Sequence, residues 1–248
     1  MQQANLTAIV KSKHGLWFMV LITFLYLINL VGVAQSSTFG DALSSVALLL
    51  LGGAVGRLTW LKLEAFPQWP AKRIPRQWRQ ARILAVMAGV TLYLALFFGS
   101  LVVNSNGLAE CTVWPFCVPS GEGATLAIVH RVIAGSSTLL ILALALWALR
   151  HYKGQKALRQ AAYWAFGLIL AQNLVGMLMV LTAHGDIALP LSYARLAHLA
   201  VGAITWSSVV ILAVMVVRVP PFITERTSST ARTKANAERQ PTLWQDYV

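Results

Sequence analysis

The chain has 248 residues, 57% of them hydrophobic and only 11% charged, with a formal net charge of +12. Apolar residues gathered into long blocks exclude a soluble domain with a polar surface. The basic excess is no nucleic-acid signature either, because all cations except Arg57, Arg131 and Arg195 fall into four short stretches between or beyond those blocks.

A run of about 20 apolar residues crosses the hydrocarbon core as a helix. Blocks of that kind lie at roughly 16–34, 42–61, 83–103, 125–149, 161–182 and 194–217. None alternates like a strand, and in lipid the backbone must satisfy itself within a helix. The expected fold is therefore all-α, a polytopic membrane protein of about six transmembrane helices.

The first block follows Lys11 and Lys13 and ends in Gly32-Val33-Ala34, as a signal peptide would. Its apolar core exceeds the usual length of about 7–15 residues, which favours a retained anchor helix. The second holds Gly52-Gly53-Ala54-Val55-Gly56, small residues suited to close helix packing, including packing between protomers. The loop 62–82 interleaves bases with Trp69, Trp78 and three prolines, with Trp60 just before it, and reads as an interfacial anchor. It separates a two-helix part, 1–61, from a four-helix module, 83–217. The tail, 218–248, is rich in Thr, Ser, Arg, Ala and Gln and is expected to be mobile.

The basic stretches alternate with poorly basic loops at 35–41, 104–124 and 183–193. By the positive-inside rule both termini are cytoplasmic and those loops lie outside. The expected location is a bacterial or archaeal plasma membrane, with lipid as a partner and no nucleic acid.

Within the module, the third block leads out to the loop Cys111-Thr-Val-Trp-Pro-Phe-Cys117, and the fourth returns with His130. The fifth leads out again, and the sixth returns with His198. Each histidine lies about six residues inside an inward-running block, so both sit at one depth. A single intramembrane histidine is commonly a polar contact between helices, but two at one level can face each other as axial ligands of a haem iron. Arg131 follows His130, and Arg195 lies one turn above His198. Their guanidinium groups can pair with haem propionates, or snorkel to the headgroups. Cys111 and Cys117 share an outside loop, where a disulfide persists. Glu110, Glu122, His184 and Asp186 are candidates for a proton relay or a haem-edge contact, with solvated loop residues as the plainer reading. Gln172 and Asn173 read as interhelical hydrogen-bonding groups.

The cysteine loop, the His130-Arg131 pair, the fifth helix around Leu170-Ala-Gln-Asn-Leu-Val-Gly-Met177 and the Ala197-His198 pair together resemble the haem A synthase family of cytochrome oxidase assembly. The resemblance covers about 97 to 217. It implies that His130 and His198 are the axial ligands, that Cys111 and Cys117 form the loop disulfide, and that the chain oxidises haem O to haem A or assists that step. The cofactor it implies is haem b, with haem O and haem A as substrate and product. Members of that family typically have two four-helix halves, whereas this chain has one histidine-bearing module. The family's substrate half carries a glutamate three residues before its first histidine, and here that residue is Ala127. Glu110 and Glu122 remain as carboxylates for catalysis, and a homodimer or a partner membrane subunit would restore a second haem site. Two other functions fit the same residues: a non-catalytic haem b subunit that relays electrons, and an assembly scaffold with a vestigial site.

Overall fold

The computed structural model describes residues 17, 20–28, 38–63, 76–105, 107–111, 121–188 and 190–219. The described secondary structure is entirely helical. The elements are α1 (Thr38–Lys62), α2 (Arg76–Asn104), the single turn α3 (Gly107–Glu110), α4 (Glu122–His151), α5 (Lys156–Ala183) and α6 (Leu191–Arg218). Among the described residues five helices, all but α3, are long and apolar enough to cross a membrane. The protein is an integral membrane protein. Residues 20–28 of the first apolar block are helical too; the rest of that block lies outside the described residues.

Each long helix runs past its apolar block, α2 most of all, starting at Arg76 rather than near 83. Hydropathy marks only the part in hydrocarbon, whereas the backbone ladder continues wherever side chains find partners. On these roughly two extra turns Trp78 is buried and its indole N–H donates to the Val216 carbonyl at 2.8 Å. The Arg82 guanidinium lies over the same ring, 5.5 Å from its centroid.

Helices α2, α4, α5 and α6 form a ring in which α2 and α5 each pack against both α4 and α6. The helices α4 and α6 are diagonal and barely touch. α1 stands outside the ring, against α6 and α2. Its glycine cluster makes that contact inside the chain: a Cβ on Gly52 would strike the Trp206 indole at 2.7 Å, and one on Gly56 would press Val210 at 3.3 Å. Gly53 faces open space. The described contacts thus assign Gly52 and Gly56 to α1–α6 packing rather than to a protomer interface.

The bundle is packed unevenly along its length. Toward Tyr152 it is solid: Ile141, Leu144, Ala145 and Ala148 of α4 meet Leu158, Ala162 and Ala165 of α5 and Val209, Leu212 and Val216 of α6. Alanines on facing helices let backbones approach closely, and dispersion then drives association in lipid. Tyr152 is fully buried and donates its hydroxyl to the Val219 carbonyl at 2.6 Å. Toward Cys111 only a small cluster forms, from Val102, Leu108, Cys111, Ala127, Met179, Val180 and Ala194. A cavity separates the two.

Candidate functional site

The cavity measures about 430 Å³ and is walled by α2, α4, α5 and α6. That is within the size range of small-molecule pockets. His130 and His198 both line it, one from each of the two diagonal helices. His130 is eight residues below the start of α4 and His198 seven below that of α6. At ~1.5 Å rise per residue these depths are about 12 Å and about 10 Å. Both exceed the apolar-block estimate because the helices begin earlier, but the match between them holds.

The two imidazoles are held differently. His130 Nδ1 lies 2.9 Å from the Ala95 carbonyl of α2. A carbonyl only accepts, so Nδ1 carries the proton and the lone pair of a neutral ring is on Nε2. The ring can come this close to α2 because residue 99 is glycine: a Cβ there would sit 3.0 Å from His130 Cε1. His198 has a matching glycine on α5, where a Cβ on Gly176 would lie 3.1 Å from its Cε1. Its polar neighbour is a side chain, the amide of Gln172, whose Nε2 lies 3.3 Å from both ring nitrogens. Gln172 is buried, and its Oε1 has no partner among the described residues.

Arg131 and Arg195 also line the cavity. The Arg131 guanidinium donates to the Cys111 carbonyl at 3.2 Å, which ties α4 to the start of the cysteine loop. The buried Nε of Arg195 has no hydrogen-bond partner among the described residues. Cys111 is fully buried and is not a free thiol; Cys117 lies outside the described residues. Lower in the wall, Asn173 donates to Thr138 Oγ1 at 3.0 Å, a hydrogen bond between α5 and α4.

The loop acids do not reach the cavity wall. Glu110 accepts the Ala124 backbone N–H at 2.9 Å, satisfying a free donor in the first turn of α4. Glu122 is exposed in that same turn, and Asp186 is exposed beyond α5. His184 donates Nδ1–H to the Val180 carbonyl of its own helix at 2.7 Å. The buried Ala127 lines the cavity three residues before His130, and supplies no carboxylate there.

Sequence reasoning found the histidines and arginines but missed Ala95, Gly99 and Gly176. A backbone carbonyl has no sequence signal. The two glycines had one: each interrupts an otherwise bulky apolar run on the helix that precedes a histidine helix.

Residues 120–242, about half the chain, match the family model described as cytochrome oxidase assembly protein. The matched segment includes His130, Arg131, Arg195 and His198. Similarity to heme A synthase from Exiguobacterium sibiricum is 28% identity over 56% of this chain and 47% of that protein. For heme A synthase from Geobacillus kaustophilus it is 29% over 66% of this chain and 55% of that protein. The chain belongs to the haem A synthase family. It is also 36% identical, over its whole length, to a protein of Roseiflexus castenholzii named protoheme IX farnesyltransferase, of which it covers 47%. The chain therefore spans about half the length of these curated relatives.

Proposed function

We propose that His130 and His198 hold one haem iron between α4 and α6, and that the chain oxidises haem O to haem A or assists that step in cytochrome oxidase biogenesis. The observation that carries this reading is the pair of histidines on diagonal helices of one cavity, with His130 Nδ1 committed to the Ala95 carbonyl and Nε2 left free. A ligating imidazole needs just such an outer partner to fix its tautomer. No group of three or more His, Cys, Asp or Glu suited to a metal occurs among the described residues. Two imidazoles alone suit an iron whose remaining ligands arrive with a porphyrin.

The residues present fit that group. Gly99 and Gly176 leave room beside each imidazole where a Cβ would crowd it. Arg195, whose buried Nε has no partner among the described residues, and Arg131 stand on the Cys111 side of the histidines, where two carboxylates of a haem would find charge-assisted hydrogen bonds. Bound there, haem supplies the redox-active iron; the chain's part is to ligate it, orient it by its carboxylates and exclude water with an apolar wall. We further propose that Cys111 bonds Cys117, the one other cysteine in the chain, and so stiffens the loop that Arg131 grips. The cysteine loop is assigned to the outside and both termini to the cytoplasm, supported by the charge pattern of the loops.

Haem b is the proposed resident cofactor, with haem O as substrate. Similarity to proteins named protoheme IX farnesyltransferase supports a haem as substrate. Ala127 argues for a second module, since the cavity wall offers no carboxylate beside His130. A homodimer or a partner membrane subunit would supply the second site. The same alanine favours the alternative of a non-catalytic haem b subunit relaying electrons.

The test is expression in a host that makes haem O but lacks its own synthase, followed by pigment extraction and mass in solution. Haem A from a dimer or hetero-complex is the expected result. A haem-loaded dimer that makes none leaves the electron-relay reading. A well-folded protein that takes up no haem leaves a scaffold.

A further inference from the structure

The two histidines differ in one respect that ligation makes important. A carbonyl fixes the His130 tautomer, and among the described residues nothing equivalent fixes His198. Equal distances of 3.3 Å from Gln172 Nε2 to both ring nitrogens place the amide over the face of the imidazole. In the ring plane the same distances would drive Nε2 into Cε1. The contact is therefore no in-plane hydrogen bond, and the His198 N–H has no acceptor among the described residues.

The missing acceptor is at hand. Gln172 Oε1 is buried and has no partner among the described residues. A buried amide oxygen without a donor is costly, as is a ring N–H without an acceptor. Both deficits close if the Gln172 amide exchanges its two ends and the His198 ring turns about its last torsion, so that Oε1 meets a ring N–H in the ring plane. Rotations of a terminal amide and of an imidazole about its last torsion are both soft motions. The setting supports it: a Cβ on Gly202 would approach Gln172 Nε2 to 3.2 Å, so α6 seats the amide against the same helix that bears His198.

We propose that Gln172 is the positioning residue of His198, accepting its Nδ1–H through Oε1 and leaving Nε2 to face the cavity. It does for α6 what the Ala95 carbonyl does for α4. This rests on the bis-histidine reading above and deepens it. An amide side chain is more mobile than a helix carbonyl, so His198 is the more easily exchanged of the two ligands.

The experiment uses the purified full chain loaded with protohaem, comparing wild type with Gln172→Leu and Gln172→Glu. The readouts are the redox midpoint potential, the ferric low-spin electron paramagnetic resonance spectrum and the rate of haem loss to a haem-scavenging apoprotein. Leucine removes the acceptor, makes His198 a weaker donor to iron, and should raise the midpoint. Glutamate strengthens the acceptor and should lower it. Haem loss from Gln172→Leu should speed up about tenfold, the usual scale for losing an outer partner of a metal ligand. Leucine is an apolar replacement in an apolar wall and should fold; if glutamate does not, Gln172→Asn replaces it, with a shift in the same direction as leucine but smaller. Unchanged midpoint, spectrum and haem loss in folded variants would overturn the role of Gln172 while leaving the histidine pair intact. A wild-type chain that takes up no haem would overturn both.

Discussion

The two ends of this bundle are built from the same four helices and do opposite things. Around Tyr152 the helices close on alanine, leucine and valine until little space is left; around the histidines they stand apart on a cavity of about 430 Å³. The difference is one of side-chain size and polarity at matching positions. On α4 the core side carries Ile141, Leu144 and Ala148 in one half and His130, Arg131 and Ala127 in the other. Burial of polar groups is expensive in hydrocarbon unless they are partnered. The packed end therefore provides the rigidity that lets the hollow end keep ionisable groups in place. Stability and ligand binding should be separable by mutation along this axis.

The sharpest test is His130→Ala or His198→Ala. Each should abolish the low-spin bis-histidine spectrum and leave the detergent melting curve of the haem-free protein nearly unchanged. Retention of a normal spectrum and full haem content in both would move the site elsewhere. At the other end, Leu144→Ala should cost about 2–5 kcal/mol of stability by opening a cavity in a solid core. Its haem spectrum should stay that of the wild type wherever the protein is folded; a shifted spectrum would mean the two ends are coupled.

A smaller effect is expected where the ends meet the helix backbones. Gly99→Ala places a methyl 3.0 Å from His130 Cε1. The ring must give way, loosening its hydrogen bond to Ala95, and haem affinity should fall roughly tenfold. Equilibrium haem titration reads this directly, and an unaltered affinity would show that the glycine is not what lets the ring sit there.

The smallest change concerns Tyr152. Tyr152→Phe removes the hydroxyl bonded to Val219 and should cost about 1 kcal/mol in a thermal melt. Burial pushes the phenol above its ordinary value, so the folded state resists ionisation. With the folded pKa above the unfolded one, stability is flat below pH about 10 and falls as pH rises beyond it. The phenylalanine variant should lose that share of the alkaline decline. An identical alkaline profile in the two proteins would assign the decline to other groups.

Much of this was legible in the chain itself. Block lengths announced the long helices because hydrocarbon thickness sets how many apolar residues a span needs. The positions of His130 and His198 announced polar groups at one level, with Arg131 beside the first and Arg195 a turn above the second, because helical rise converts residue number into depth. The helix ends were less legible, since hydropathy is silent about Trp78 and its bond to Val216. Glu110 read as a free loop carboxylate, whereas it is spent on the α4 backbone. What only the tertiary structure decided is which helices are diagonal and what lies beside each ring. Linear spacing places His130 and His198 at one depth but cannot say that α4 and α6 face each other across a cavity. Nor can it say that a carbonyl holds one imidazole and an amide covers the other. Those relations join residues 35 apart for Ala95 and His130 and 26 apart for Gln172 and His198. Only the packing of α2 on α4 and of α5 on α6 brings them into contact.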